Sequence, residues 1–95
     1  MFVRVVRFID VDPTRVEALL ARINESEGPP PGVPAVGLDM MYDAAQRTAV
    51  VTQRFATAED MAAAEQAFDS MDPGETPGTR ASVDRCEQVL ELRML

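Results

Sequence analysis

The side chains that could do chemistry in this sequence are few. The chain has no histidine and one cysteine, Cys86, and all nine of its basic residues are arginine. Without histidine or lysine, the commonest general base, histidine-based triads and Schiff-base chemistry are excluded, and a lone cysteine cannot build a thiolate zinc site. Any chemistry must therefore use carboxylates, arginine, the one tyrosine or backbone amides, and we expect no metal and no cofactor.

Polar residues on predicted strands could line a ligand pocket, and the candidates are Arg54, Asp39, Thr52, Tyr42 and Arg4. Arg54 could stabilise an anion such as an enolate electrostatically, without transferring a proton. Asp39 could serve as a base if it pointed into an apolar interior.

Each candidate also has a structural interpretation, and the sequence leaves both open. Arg54 could simply pair with Asp39 at a rim, and Arg4, on an apolar strand face, could be a buried and paired residue. Tyr42 could pack with its hydroxyl in water. Cys86 has no histidine to activate it, so it is interpreted as an unreactive strand cysteine.

The composition limits the partners and the location of the protein. Ninety-five residues with 46% hydrophobic content predict one globular domain over residues 1–95. The net charge of −7 offers no basic surface for nucleic acid. No apolar run approaches the ~20 residues of a membrane span, and the N-terminal "MFVRVVRFIDVDP" is interrupted by charges and lacks a signal-peptide pattern. We therefore expect a cytoplasmic protein that binds neither nucleic acid nor a membrane.

The first half of the sequence predicts a strand and a helix. The segment from Phe2 to Asp10 has apolar side chains on both faces, so both faces must be covered. Asp12 is the predicted N-cap of a helix with Pro13 at its first position. Gly28 ends this helix, whose apolar stripe comprises Val16, Leu19, Leu20 and Ile23. The following "GPPPGVP" predicts a stiff connector that shapes the rim of any pocket.

The second half predicts a hairpin, a helix and a final strand. Strands from Ala35 to Asp43 and from Arg47 to Phe55 are joined by the polar turn "DAAQR". Thr57 is the predicted N-cap of the second helix. "MDPGETPG" ends that helix, whose apolar stripe comprises Met61, Ala64, Phe68 and Met71. The segment from Arg80 to Met94 is strand-like, with an irregularity expected near Cys86 to Gln88.

The order β-α-β-β-α-β predicts an α+β, ferredoxin-like fold. In that fold a four-stranded antiparallel sheet has the strand order 4-1-3-2 and carries both helices on one face. The other face would be bare, yet the first strand is apolar on both sides. We therefore expect a homodimer of C2 symmetry, in which a second copy packs face to face and encloses a cavity.

The strand–helix junction "QRFATAEDMAAA" carries a resemblance to a known family. The whole chain resembles the dimeric α/β barrel superfamily, and is most similar to its antibiotic-biosynthesis-monooxygenase-like group. Residues that fit the outline of that junction are Gln53, Phe55, Thr57 and Met61. Phe55 stands where tryptophan is common in the group, and Ala64 stands where histidine is common.

This resemblance implies several functions, which the residues narrow. The group includes cofactor-free monooxygenases of aromatic polyketides, haem-degrading enzymes, isomerases and members without known activity. Haem degradation relies on an axial histidine, which this chain lacks. The leading hypothesis is a homodimeric barrel that binds a small apolar or aromatic ligand without catalysis. The alternatives are a cofactor-independent monooxygenase or isomerase, which would use Arg54 with Asp39 or Tyr42, and a dimeric interaction module with a filled barrel.

Overall fold

Four strands and two helices alternate in the computed structural model, which describes residues 1–25, 33–69 and 76–94. In chain order they are β1 (Phe2–Ile9), α1 (Pro13–Glu25), β2 (Gly37–Asp43), β3 (Thr48–Phe55), α2 (Ala58–Asp69) and β4 (Thr79–Glu87). All strand pairs are antiparallel, and the sheet order is β2-β3-β1-β4. This is the predicted order read from the opposite edge, and it confirms the α+β, ferredoxin-like topology.

Local sequence signals start the helices and the hairpin turn where they were predicted. Asp12 Oδ1 accepts a hydrogen bond from the backbone N–H of Thr14 at 2.9 Å, and Thr57 Oγ1 accepts one from the N–H of Asp60 at 3.1 Å. Each side chain therefore satisfies one of the free N–H groups at a helix start. In the turn between β2 and β3, Asp43 Oδ1 accepts a bond from the N–H of Gln46 at 3.1 Å.

The hydrophobic core lies between the helices and one face of the sheet, in two clusters. The cluster under α1 comprises Val6, Phe8, Val11, Val16 and Ala49. The cluster under α2 comprises Val33, Phe55 and Ala64, with Phe2, Met61 and Phe68 packed against it. Alternate residues of β1 and β3 thus face the helices, and we call this side of the sheet the helix face.

The apolar stripe of α1 is only partly buried. Val16 is 5% exposed, whereas Leu20 and Ile23 are 43% and 36% exposed. α1 rests on the sheet mainly through its first turns, where Val16 meets Val6 and Phe8. Periodicity predicted the helix correctly because that pattern is local, while the area that it buries depends on where the helix lies on the sheet.

The prediction of one long final strand is wrong in extent. β4 ends at Glu87, which pairs with Phe2, the first residue of β1, and the last backbone bond runs from Gln88 N–H to Met1 O at 2.9 Å. Beyond it, residues 88–94 have no regular structure, because no further residue of β1 is there to pair with them. The irregularity in pairing lies between Arg7 and Phe8, where Ala81 is the extra residue, and not near Cys86 to Gln88.

Parts of two predicted loops lie outside the described residues. Of the "GPPPGVP" connector the structure describes Val33 and Pro34, and Val33 is buried. Gly28, Met71 and most of "MDPGETPG" also fall outside the described residues.

We predict that Phe55→Ala lowers the free energy of unfolding by about 3–5 kcal/mol, because Phe55 is 0% exposed beneath α2. Urea denaturation measures the loss. The control Met94→Ala removes a side chain that is 87% exposed, and it should change the free energy of unfolding by less than about 0.5 kcal/mol. Equal small losses for both variants would contradict the packing of α2 on Phe55.

Candidate functional site

The face of the sheet opposite the helices is uncovered by any helix in the described residues, and we call it the open face. Strand register places Val3 and Val5 of β1 beside Arg54 and Thr52 of β3 on this side, with Val50 next along the strand. Val3, Val5 and Val50 have intermediate exposure. The middle of the open face therefore carries three valines, with the exposed Arg7 of β1 beside Val50, and it is less polar than a sheet surface built to face water.

Three of the predicted site residues meet at one edge of the open face. Arg54 Nη1 donates a short hydrogen bond to Asp39 Oδ2 and forms an ion pair with it, and Thr52 Oγ1 lies 3.5 Å from the same oxygen. Gly37 makes room for this pair, since a β-carbon there would collide with the Arg54 guanidinium. The side chains of Arg54 and Asp39 are 41% and 50% exposed. Arg54 and Asp39 thus form a partly exposed ion pair, which agrees with their structural interpretation.

Tyr42 lies on the helix face of the edge strand β2, where it pairs with Ala49 and is 36% exposed. A depression of about 170 Å³ runs round this end of the hairpin and includes Tyr42, Asp43 and Thr48 in its lining. It is small and does not reach Arg54. The structure therefore separates Tyr42 from the Arg54 group by the thickness of the sheet.

Arg4 also lies on the helix face, where its side chain is buried. Arg4 Nη1 donates a hydrogen bond to Gln53 Oε1 at 3.1 Å, and Arg4 Nε lies 3.5 Å from Glu65 Oε1 in α2. The same carboxylate oxygen forms an ion pair with Nε of Arg85 in β4. The ring of Phe68, one turn along α2 from Glu65, lies over the Arg4 guanidinium with 4.8 Å between Cζ and the ring centroid. We call Arg4, Glu65, Arg85 and Phe68 the arginine cluster.

The arginine cluster contains two guanidinium groups and one carboxylate, so its charges do not balance. Burial lowers the pKa of the Arg4 guanidinium from its usual value because desolvation penalises its charged form. The charge of Glu65 raises this pKa, while the charges of Arg80 and Arg85 lower it. Arginine starts from so high a pKa that Arg4 keeps its proton. One carboxylate thus offsets the mutual repulsion of several guanidinium groups.

The geometry of the buried pair leaves hydrogen-bonding capacity unused. Arg4 Nε is buried and makes no hydrogen bond within the described part of the chain, whereas Glu65 Oε1, also buried, is in contact with Arg85 Nε. Ion pairing at 3.5 Å compensates for part of the desolvation, but a buried donor without a hydrogen bond still costs free energy.

Sequence reasoning identified Arg4 but missed its partners. Glu65 follows the buried Ala64 in α2, and Arg85 stands opposite Arg4 in the β1–β4 register. The sequence signal for a partner was the alternation of β1, which puts Arg4 on the same face as apolar residues. An arginine buried there needs a counter-charge close to it. Identifying that counter-charge needed the placement of α2 on the sheet, which brings the Glu65 side chain to Arg4 and Arg85.

Comparison with known proteins returns nothing: no family model, no curated protein and no solved structure matches this chain. Within the residues that the structure describes, no group of three or more cysteine or acidic side chains is arranged to hold a metal ion. None of the helices in the described ranges is long and apolar enough to cross a membrane.

We predict that loss of the buried ion pair destabilises the protein much more than loss of the exposed one. Glu65→Gln leaves the charge of Arg4 buried without its partner and should cost about 3–5 kcal/mol of the free energy of unfolding. Asp39→Asn breaks the exposed pair with Arg54 and should cost at most about 1 kcal/mol. Urea denaturation of both variants measures the difference. A larger loss for Asp39→Asn would contradict the assignment of Arg4 and Glu65 as the buried pair.

Proposed function

We propose that this protein is a homodimer whose open sheet faces pack together as a dimeric α/β barrel, and that the barrel binds a small apolar or aromatic molecule without catalysing its conversion. The observation that supports the proposal is the middle of the open face, where Val3, Val5 and Val50 lie on the two central strands. A chain of this size gains stability by burying such a surface against a partner.

The arrangement of charges on the open face suits a closed interface between two copies. Polar side chains lie around the valines: Asp39 on one edge strand, Asp84 on the other, and Arg54 and Arg7 on the central strands beside Val3 and Val50. An apolar centre with a polar rim is the usual anatomy of a protein interface. A C2 axis through the valines would bring each rim against an equivalent surface of the partner.

The ligand class follows from what would line the space between two such faces. Facing sheets pack about 10 Å apart, and the apolar side chains that each copy would contribute include Val3, Val5 and Val50, with Met41 beside Val50 on β2. Methionine adapts its shape to irregular ligands. Thr52 and the Arg54–Asp39 pair would supply polar groups at the margin that orient the bound molecule.

A binding function is favoured over the monooxygenase or isomerase alternative. Stabilisation of a developing anion depends on the net positive charge at that point, and Asp39 pairs with Arg54 and offsets its charge. Tyr42, the other candidate partner of Arg54, lies on the opposite face of the sheet.

We predict that Val5→Asp converts the protein to a monomer at micromolar concentration, because two buried carboxylates would face each other near the axis. Sedimentation velocity measures the mass. Val36→Asp is the matched control, since Val36 is 59% exposed and precedes β2 on the helix-face side of the alternation. A wild-type protein that sediments as a monomer would refute the dimer.

We predict that a member of a panel of quinones and aromatic polyketides stabilises the wild-type dimer. At a concentration of 100 times its dissociation constant, a ligand adds about 2.7 kcal/mol, which thermal unfolding resolves easily. Val5→Asp should abolish the stabilisation, whereas Val36→Asp should retain it. An equal stabilisation of Val5→Asp and wild type would place the ligand outside the space between the sheets.

A further inference from the structure

A local excess of positive charge lies on the helix face of this acidic protein. Arg4 and Arg85 are directly opposite each other in the β1–β4 register, and Arg80, which pairs with Phe8, lies close enough to lower the pKa of Arg4. Among the described residues, Glu65 is the carboxylate that forms ion pairs in this group. Glu87, which pairs with Phe2, is a second carboxylate on this face of β4, so three arginines lie near two described carboxylates in a chain whose net charge is −7.

Part of this positive surface is open to solvent. The side chain of Arg85 is 56% exposed and that of Glu65 is 20% exposed, whereas that of Arg4 is 5% exposed. Arg80 is also exposed. The guanidinium groups therefore range from exposed, at Arg80 and Arg85, to buried, at Arg4, so an anion could reach Arg80 and Arg85 from solvent.

The cluster is already adapted to one carboxylate. Glu65 Oε1 contacts Arg4 Nε and Arg85 Nε together, so a single oxygen carries two cationic partners. Each guanidinium has five N–H donors, more than this one oxygen can accept from. Arginine binds carboxylates through two parallel hydrogen bonds, and the exposed Arg85 has the capacity to do so beyond its contact with Glu65.

Apolar surface adjoins the charged groups. The ring of Phe68 lies over the Arg4 guanidinium, and Phe2, beside Arg4 on the helix face, has intermediate exposure. An inorganic anion would leave this surface unused. An organic acid with an apolar body could contact the aromatic side chains while its carboxylate met the arginines.

We propose that the arginine cluster, together with Arg80 on the same face of β4, is a binding site for the carboxylate of a small organic acid with an apolar body. Glu65 is then an internal competitor that occupies the arginines while the site is empty. All of these residues belong to one chain, so the site does not require the homodimer proposed above. It lies on the helix face, on the other side of the sheet from the space between the two copies.

The test uses 2-naphthoate, with 2-naphthamide as an uncharged analogue of the same shape and inorganic phosphate as an anion without an apolar body. Isothermal titration calorimetry on the full chain should detect binding of naphthoate alone. Arg85→Gln and Arg80→Gln should each weaken this binding about tenfold, the loss expected for a hydrogen bond to a charged group. Arg93→Gln removes the same charge from the exposed residues 88–94 and should leave the affinity unchanged.

The decisive variant is Glu65→Gln, because the proposal and a purely structural ion cluster predict different results. Removal of the competing carboxylate should tighten naphthoate binding about tenfold, and naphthoate should restore part of the melting temperature lost by the variant. A structural cluster predicts the same melting temperature for this variant with and without naphthoate.

Four results would overturn the proposal. They are equal binding of naphthamide and naphthoate, equal binding of phosphate and naphthoate, an equal loss of affinity in Arg93→Gln and Arg85→Gln, and no gain of affinity in Glu65→Gln. Sedimentation velocity on the same samples measures the homodimer separately, so failure of the anion site and failure of the dimer are distinguishable.

Discussion

The pairing of β1 with a strand on each side is the constraint on which the rest of the structure depends. β1 lies between β3 and β4, and both pairs are antiparallel in a register that puts Arg4 opposite Gln53 on one side and Arg85 on the other. Side chains alternate across a strand, so a shift of one residue would exchange the two faces. This register therefore sends Val6 and Phe8 to the helices and leaves Val3 and Val5 on the open face.

The two faces use arginine in physically different ways. On the open face, Arg54 and Asp39 pair while largely in water, where Coulomb attraction is weak and hydration compensates for its loss. On the helix face, Arg4 is buried, and its charge is tolerated because Glu65 and Gln53 contact it and Phe68 lies over it. Arginine is thus part of an exposed ion pair on the open face, and part of a buried ion pair that needs both partners on the helix face.

The two proposed sites are separate: one rests on the valines of the open face, and the other on the arginine cluster. The first needs a second copy to complete it, because one sheet face alone encloses nothing. The second is assembled within a single chain, where Glu65 of α2 contacts Arg4 of β1 and Arg85 of β4. Both follow from the same asymmetry, in which the helices of a ferredoxin-like sheet cover one of its faces and leave the other without a helix.

The sequence by itself determined what depends on near neighbours. Alternation, the caps at Asp12 and Thr57 and the short turn after Asp43 predicted the elements and their order, because each signal acts within a few residues. Alternation also placed Arg4 on an apolar strand face, and the sequence left open whether Arg4 is buried and paired and whether Arg54 pairs with Asp39. Tertiary structure alone decided that β4 ends at Glu87, where β1 has no more residues to pair with it. It also decided that α1 buries little of its stripe, and that Glu65 and Arg85 meet Arg4. These outcomes depend on contacts between residues distant in the chain, and local propensity contains no information about which distant partner a strand end or a buried charge will find.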